Sequence, residues 1–151
     1  MQAIHLQWLR ADGSDPWSRA LGAERAGRAF RCADLVASGA LVALGSDWPV
    51  AHFDPRAGMA WARLRRPPGD RDRAPIGPGQ ALTAEQSLHG YTTNAWQTVG
   101  EEAYAGRIVV GYRADLTAFA ADPVECPADD LPDLPVRLTV VAGEPVHRKD
   151  V

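Results

Sequence analysis

The stretch "ALVALGSDWPV", residues 40–50, decides how this chain is read. Leu41, Val42, Ala43 and Leu44 are apolar on both alternating faces, so the spacing predicts a short strand covered on both sides. That is the habit of a parallel strand in an α/β sheet rather than of an antiparallel strand with one wet face. The run stops at Gly45, Ser46 and Asp47, and Trp48 with Pro49 prevents regular structure from continuing. In α/β folds the chemistry collects at the carboxyl ends of strands, which is where Asp47 falls.

What lies upstream supports the same unit. Asp15 before Pro16 reads as a helix start, since Asp can cap free amides and Pro suits the first helical position. Helix is expected over much of 16–29 and again over 31–38, with Gly39 ending the second in a left-handed cap. Helix, glycine stop, buried strand and polar turn make one α/β repeat.

Downstream, residues 49–79 read mostly as loop, with a short helix near Met59–Leu64. The segment "RRPPGDRDRAPIGPG", 65–79, is broken by Pro and Gly. Arg63, Arg65, Arg66, Arg71 and Arg73 alternate with Asp70 and Asp72, so a solvated surface loop is the favoured reading, with Arg63 kept as a substrate-facing residue. The clearest helix covers 82–100: Thr83 and Gln86 form a capping box, Leu88, Tyr91 and Ala95 follow at helical spacing, and Gly100 stops it. Gly90 inside that helix costs about 1 kcal/mol relative to Ala, which points to close packing there. Beyond it, 106–123 and 136–148 are short β-type runs, and Val140–Val146 reads as a hairpin.

Composition narrows the function. With 151 residues, 46% of them hydrophobic and 23% charged, the chain has the make-up of one globular domain, not of a disordered tail. A net charge of −3 gives no reason to expect a polyanionic partner, so no nucleic-acid partner is expected. No window approaches a membrane span and no signal peptide opens the chain, so a cytoplasmic location is expected. Cys32 and Cys126 are too few for a disulfide scaffold. The four histidines form no H-x-H or H-E-x-x-H, Ser46 is not in a nucleophile elbow, and no glycine loop cradles phosphate. The aromatic residues around Trp48 and Trp61 read as core or loop packing. Asp47 remains: locally it could simply cap a turn, or it could ligate a metal and take the proton of a metal-bound water whose pKa the metal lowers to about 7.

Taken in order, "ALGSDWPV", "LTAEQSLHGYTTNAWQTVG", "GRIVVGYRADLTAFAADP" and "LTVVAGEPVHR" resemble the carboxyl-terminal portion of the amidohydrolase superfamily. The branch is amidohydrolase family 3, which includes enzymes similar to N-substituted formamide deformylase. The most specific parts are G-S-D-W-P-V and the signature of Gly106, Gly111, Ala114, Asp115 and Leu116. The resemblance implies an α/β fold: residues 1–104 as the end of a TIM-barrel metal-dependent hydrolase, and 105–151 as strands of a small β-sandwich built from both chain ends. It implies Asp47 as metal ligand and general base or acid, His5 lining the substrate pocket, and Asp115 as a structural residue. It further implies a divalent metal, zinc by family habit, and a small amide or formamide substrate. An (α/β)8 barrel takes about 250 residues, and the family's H-x-H of the first strand and the metal-holding histidines or lysine of its fourth to sixth strands are absent from the sequence, which leaves Asp47 as the matching ligand. Two readings follow: the carboxyl-terminal part of a hydrolase of carbon–nitrogen bonds other than peptide bonds, or a catalytically silent remnant that binds a partner or itself through uncovered barrel edges.

Overall fold

The computed structural model describes residues 9–149. Six helices come first: α1 (Pro16–Leu21), α2 (Ala23–Ala26), α3 (Cys32–Ala37), α4 (Pro55–Leu64), α5 (Ala84–Tyr91) and α6 (Thr93–Thr98). Three strands follow, β1 (Leu116–Phe119), β2 (Val136–Val141) and β3 (Glu144–Arg148). They form one antiparallel sheet in the order β1-β2-β3.

The local signals act where the chemistry says they should. Asp15 caps α1 by accepting from the Ser18 amide at 2.7 Å, and it also accepts from Ser18 Oγ and the Arg10 amide. Those bonds, the Ser18 side chain first, bring its carboxyl down to about 2. Helix α3 ends as expected at Gly39, whose φ of 81° lets its own amide reach Val36 O and the Ala40 amide reach Leu35 O. Thr83 and Gln86 complete both bonds of the capping box on α5. The β2–β3 turn has Ala142 and Gly143 both at positive φ, the geometry that matches the twist of a two-residue hairpin.

Several expectations need correction. The helix over 16–29 is split where Gly22 turns to φ 79°, and the helix over 82–100 is split at Thr92. Helix α4 is longer than expected, because Asp54 before Pro55 caps it through the Arg56 amide, the same signal that starts α1. The strand at 41–44 pairs with no strand among the described residues. A strand needs a neighbouring ladder, and what neighbours this segment is helical: Gly90 O accepts the Leu44 amide at 2.8 Å and Val42 O accepts from Asn94 Nδ2 at 3.0 Å. Val42 and Leu44 are buried, while Leu41 is 44% exposed, so one face is covered rather than two.

The 65–79 loop is not simply solvated. Arg65 is 1% exposed, its Nε donating to Ile76 O and its Nη1 to Phe30 O. Arg66 makes a two-pronged pair with Asp129 at 2.7 and 2.8 Å, and Asp129 also accepts from the Gly69 amide. Those contacts, Arg66 foremost, hold the Asp129 carboxyl well below the usual carboxylate range. The loop is thereby fastened to the segment that precedes β2.

The core has three connected parts. Val42 and Leu44 pack with Cys32, Ala62 and Leu82; Ala51 packs with Leu9 and Trp61; Met59 and Ala60 pack with Leu131 and Leu134. Helix α4 contributes to all three, which makes it the pillar of the fold. It approaches α5 closely, since a methyl group at Gly58 would lie 1.8 Å from the Tyr91 hydroxyl oxygen. Burial there, aided by Asp54, pushes the Tyr91 phenol up to about 12. No described helix is long and apolar enough to cross a membrane.

Candidate functional site

The backbone carries the buried residues Val42 and Leu44 out to an exposed tip at Asp47. Asp47 has φ 54°, a left-handed conformation that Asp tolerates better than most residues. Its carbonyl accepts the Val50 amide at 2.8 Å, closing a turn across Trp48 and Pro49, whose peptide is cis. The carboxylate is exposed to solvent. Among the described residues the Asp47 carboxylate has no hydrogen-bond or ion-pair partner, and a carboxylate so placed can accept a proton or ligate a cation.

The rest of the loop is fastened down. Ala51 is buried beside Leu9 and Trp61. His52 Nδ1 accepts the Asp54 amide at 3.2 Å, which places the proton of the neutral ring on Nε2. Its ring stacks on Phe53 with centroids 4.8 Å apart and 18° between planes. Asp54 caps α4 and pairs with Arg56, whose Nη1 reaches Leu134 O. Arg56 pulls the Asp54 carboxyl downward against the opposing effect of burial, so the anion that caps α4 persists.

The other residues singled out from the sequence lie apart from this turn or outside the description. Arg63 donates from Nη1 to Pro123 O and from Nη2 to Cys126 O, joining α4 to the turn after β1. His5 lies outside the described residues. Asp115 accepts the Ala142 amide at 2.7 Å and thereby ties the start of β1 to the hairpin. Trp61 packs in the core as the sequence suggested, whereas Trp48 is 66% exposed and packs no core. Sequence reasoning missed Arg65, and its only advance signal was a charged residue at the end of an apolar helix.

Among the described residues, no group of three or more His, Cys, Asp or Glu side chains is placed to hold a metal ion. Asp47 is a single donor, and a stable site needs three or four. Cavities of about 390, 340 and 670 Å3 open elsewhere, the largest between the α4–α6 helices and β1, and Asp47 lines none of these three.

Comparison with solved structures defines the class of fold. The chain superposes on the crystal structure of an amidohydrolase from Thermotoga maritima MSB8 with a TM-score of 0.58 over 78% of this chain and 26% of that one, at 23% identity. Residues 3–147 match the sequence profile of the amidohydrolase family, and the chain belongs to that family. YtcJ of Bacillus subtilis (strain 168), an amidohydrolase by name, is 30% identical over 148 residues, 97% of this chain. The N-substituted formamide deformylase of Arthrobacter pascens is 33% identical over 114 residues, 76% of this chain. The chain spans 28% of the length of the first of these relatives and 20% of the second.

Proposed function

We propose that the chain provides the carboxyl-terminal part of a hydrolase that cleaves carbon–nitrogen bonds other than peptide bonds, with amide or formamide substrates. Residues 1–104 would form the end of a TIM barrel and residues 105–151 the strands of a small β-sandwich. Family membership supports this reading. The observation that carries it is the placement of Asp47, an exposed carboxylate with no partner among the described residues, on a turn closed by the Val50 amide at the end of a buried segment.

In this reading Asp47 does the proton work. Its carboxylate accepts a proton from the attacking water as the water oxygen bonds to the carbonyl carbon, then delivers it to the leaving nitrogen as the C–N bond breaks. The products are a carboxylic acid and an amine, and atoms and charge balance. His5 and Arg63 are the substrate-side residues of the proposal. For Arg63 this requires release of at least one of its two carbonyl bonds. A divalent metal, zinc by family habit, belongs to the reading of the whole enzyme, with Asp47 as one donor. The described residues do not make up a donor set for it, so no step is assigned to it. A cytoplasmic location completes the proposal.

The lone donor supports a second reading, in which the chain is catalytically silent and binds a partner or a second copy through uncovered apolar surface, to which the exposed side chains of Ile108 and Val110 contribute. One experiment separates the two. Formate release from N-substituted formamides is followed for the wild type and for Asp47→Asn, with bound metal measured by elemental analysis. Turnover that depends on Asp47 supports the hydrolase. No turnover together with no bound metal supports the silent reading.

A further inference from the structure

One nitrogen of the buried Arg65 guanidinium has no bonding partner among the described residues. Nε donates to Ile76 O at 2.8 Å and Nη1 to Phe30 O at 2.9 Å, whereas Nη2 donates to no described group. No described carboxylate pairs with this cation either. Cys32 Sγ lies 3.9 Å from Nη1, but burial pushes the Cys32 thiol up, so it stays neutral at pH 7 and supplies no countercharge. Buried charges are ordinarily paired, so a buried cation with an unused donor marks a place for an anion.

That donor stands at the wall of a cavity. The space of about 390 Å3 lies between residues 9–13, helix α2 and residues 75–77, and Arg65 and Gly77 both line it. A methyl group on Gly77 would lie 3.4 Å from Arg65 Nη2, which sets that nitrogen beside the same stretch of wall. Leu9, Ala23, Ala26, Ala29 and Ile76 make much of the remaining wall apolar. Arg10 and Asp12 are the other charged lining residues; both are exposed, and the Asp12 carboxylate accepts the Ser14 amide of its own turn at 2.9 Å. A largely apolar space of about 300–1,000 Å3 with a few placed polar groups is the usual form of a small-molecule site.

We infer that this cavity binds a small aliphatic carboxylate, which accepts from Arg65 Nη2 and lays its chain against Ala26 and Ile76. Nη2 offers two N–H groups, enough for a carboxylate, and the apolar walls give the further oxygens of a phosphate no donors. Asp47 lines no part of the cavity, so the inference stands apart from the hydrolase reading.

The test titrates the purified chain with sodium butyrate by calorimetry, with butyramide and sodium chloride as controls at matched ionic strength. Butyrate should bind saturably and about tenfold or more tightly than butyramide, which has nearly the same shape without the charge. Nuclear Overhauser effects should run from butyrate protons to the methyl groups of Ala26 and Ile76. Ala26→Leu fills the cavity and leaves the Arg65 bonds in place, so it should weaken butyrate about tenfold or more while keeping the thermal midpoint. No saturable butyrate binding, butyramide bound equally well, Overhauser effects confined to other residues, or a folded Ala26→Leu variant with unchanged affinity overturns the site. The Overhauser measurement is made on the wild type, so the test stays decisive where Ala26→Leu does not fold.

Discussion

Gly90 and Leu44 interlock: the Gly90 carbonyl accepts the Leu44 amide at 2.8 Å, and a methyl group on Gly90 would lie 2.6 Å from Leu44 Cγ. The segment leading to Asp47 is thus seated against α5 by both backbone and side chain. Gly90→Ala gains roughly 1 kcal/mol of helix propensity but overfills a close-packed contact, at about 1–3 kcal/mol. A net loss of about 1 kcal/mol or more in urea unfolding is expected, with hydrolysis falling because Leu44 lies three residues before Asp47. A variant as stable as the wild type would mean that Leu44 can move aside freely.

Arg66 and Asp129 give stability a pH dependence whose sign can be worked out. The folded Asp129 carboxyl is held below its ordinary value, so its contribution is fully present above the unfolded pKa of about 3.9 and fades as pH falls below it. Both side chains are mostly buried, and the pair is bidentate. Asp129→Asn should cost about 1–2 kcal/mol at neutral pH. Unfolding measured at pH 7 and at pH 3 should show the gap between wild type and variant narrowing in acid. A gap independent of pH would remove Asp129 as its source.

Arg65 is a buried cation, and burial lowers its pKa. It survives there because its planar fork satisfies two carbonyls, Phe30 O and Ile76 O, from segments far apart in sequence. Arg65→Lys keeps the charge but cannot reproduce the fork. A loss of about 2–4 kcal/mol is expected, since one carbonyl at least is left unpaired and an ammonium remains buried. Equal denaturation midpoints for Lys and Arg would show that charge alone matters at this position.

What the sequence made legible was local. The Asp15–Pro16 cap, the Thr83–Gln86 box and the stop at Gly39 each depend on residues within a few positions, and the tight packing at Gly90 could be inferred from a helix that tolerates its cost. Asp54–Pro55 carried the same cap signal as Asp15–Pro16 and was hidden only by the prolines and arginines around it. The roles of Arg65 and Arg66 were illegible because their partners, Phe30 and Asp129, stand 35 and 63 residues away. The apolar run at 41–44 correctly signalled burial, but its form depends on neighbours, and those present are helices. At the candidate site, motif resemblance singled out Asp47. Only the structure shows that its loop is fixed and that Trp48 faces solvent.

The central claim is that Asp47 moves the proton in hydrolysis of a carbon–nitrogen bond. Its most direct test is kcat/KM for an N-substituted formamide in wild type and Asp47→Asn, measured side by side at pH 7. Asn preserves the size of the side chain and removes its basicity, so the rate should fall by about 100- to 10,000-fold while the thermal midpoint is unchanged. A wild type that turns over and an Asn variant within about threefold of it would contradict the account.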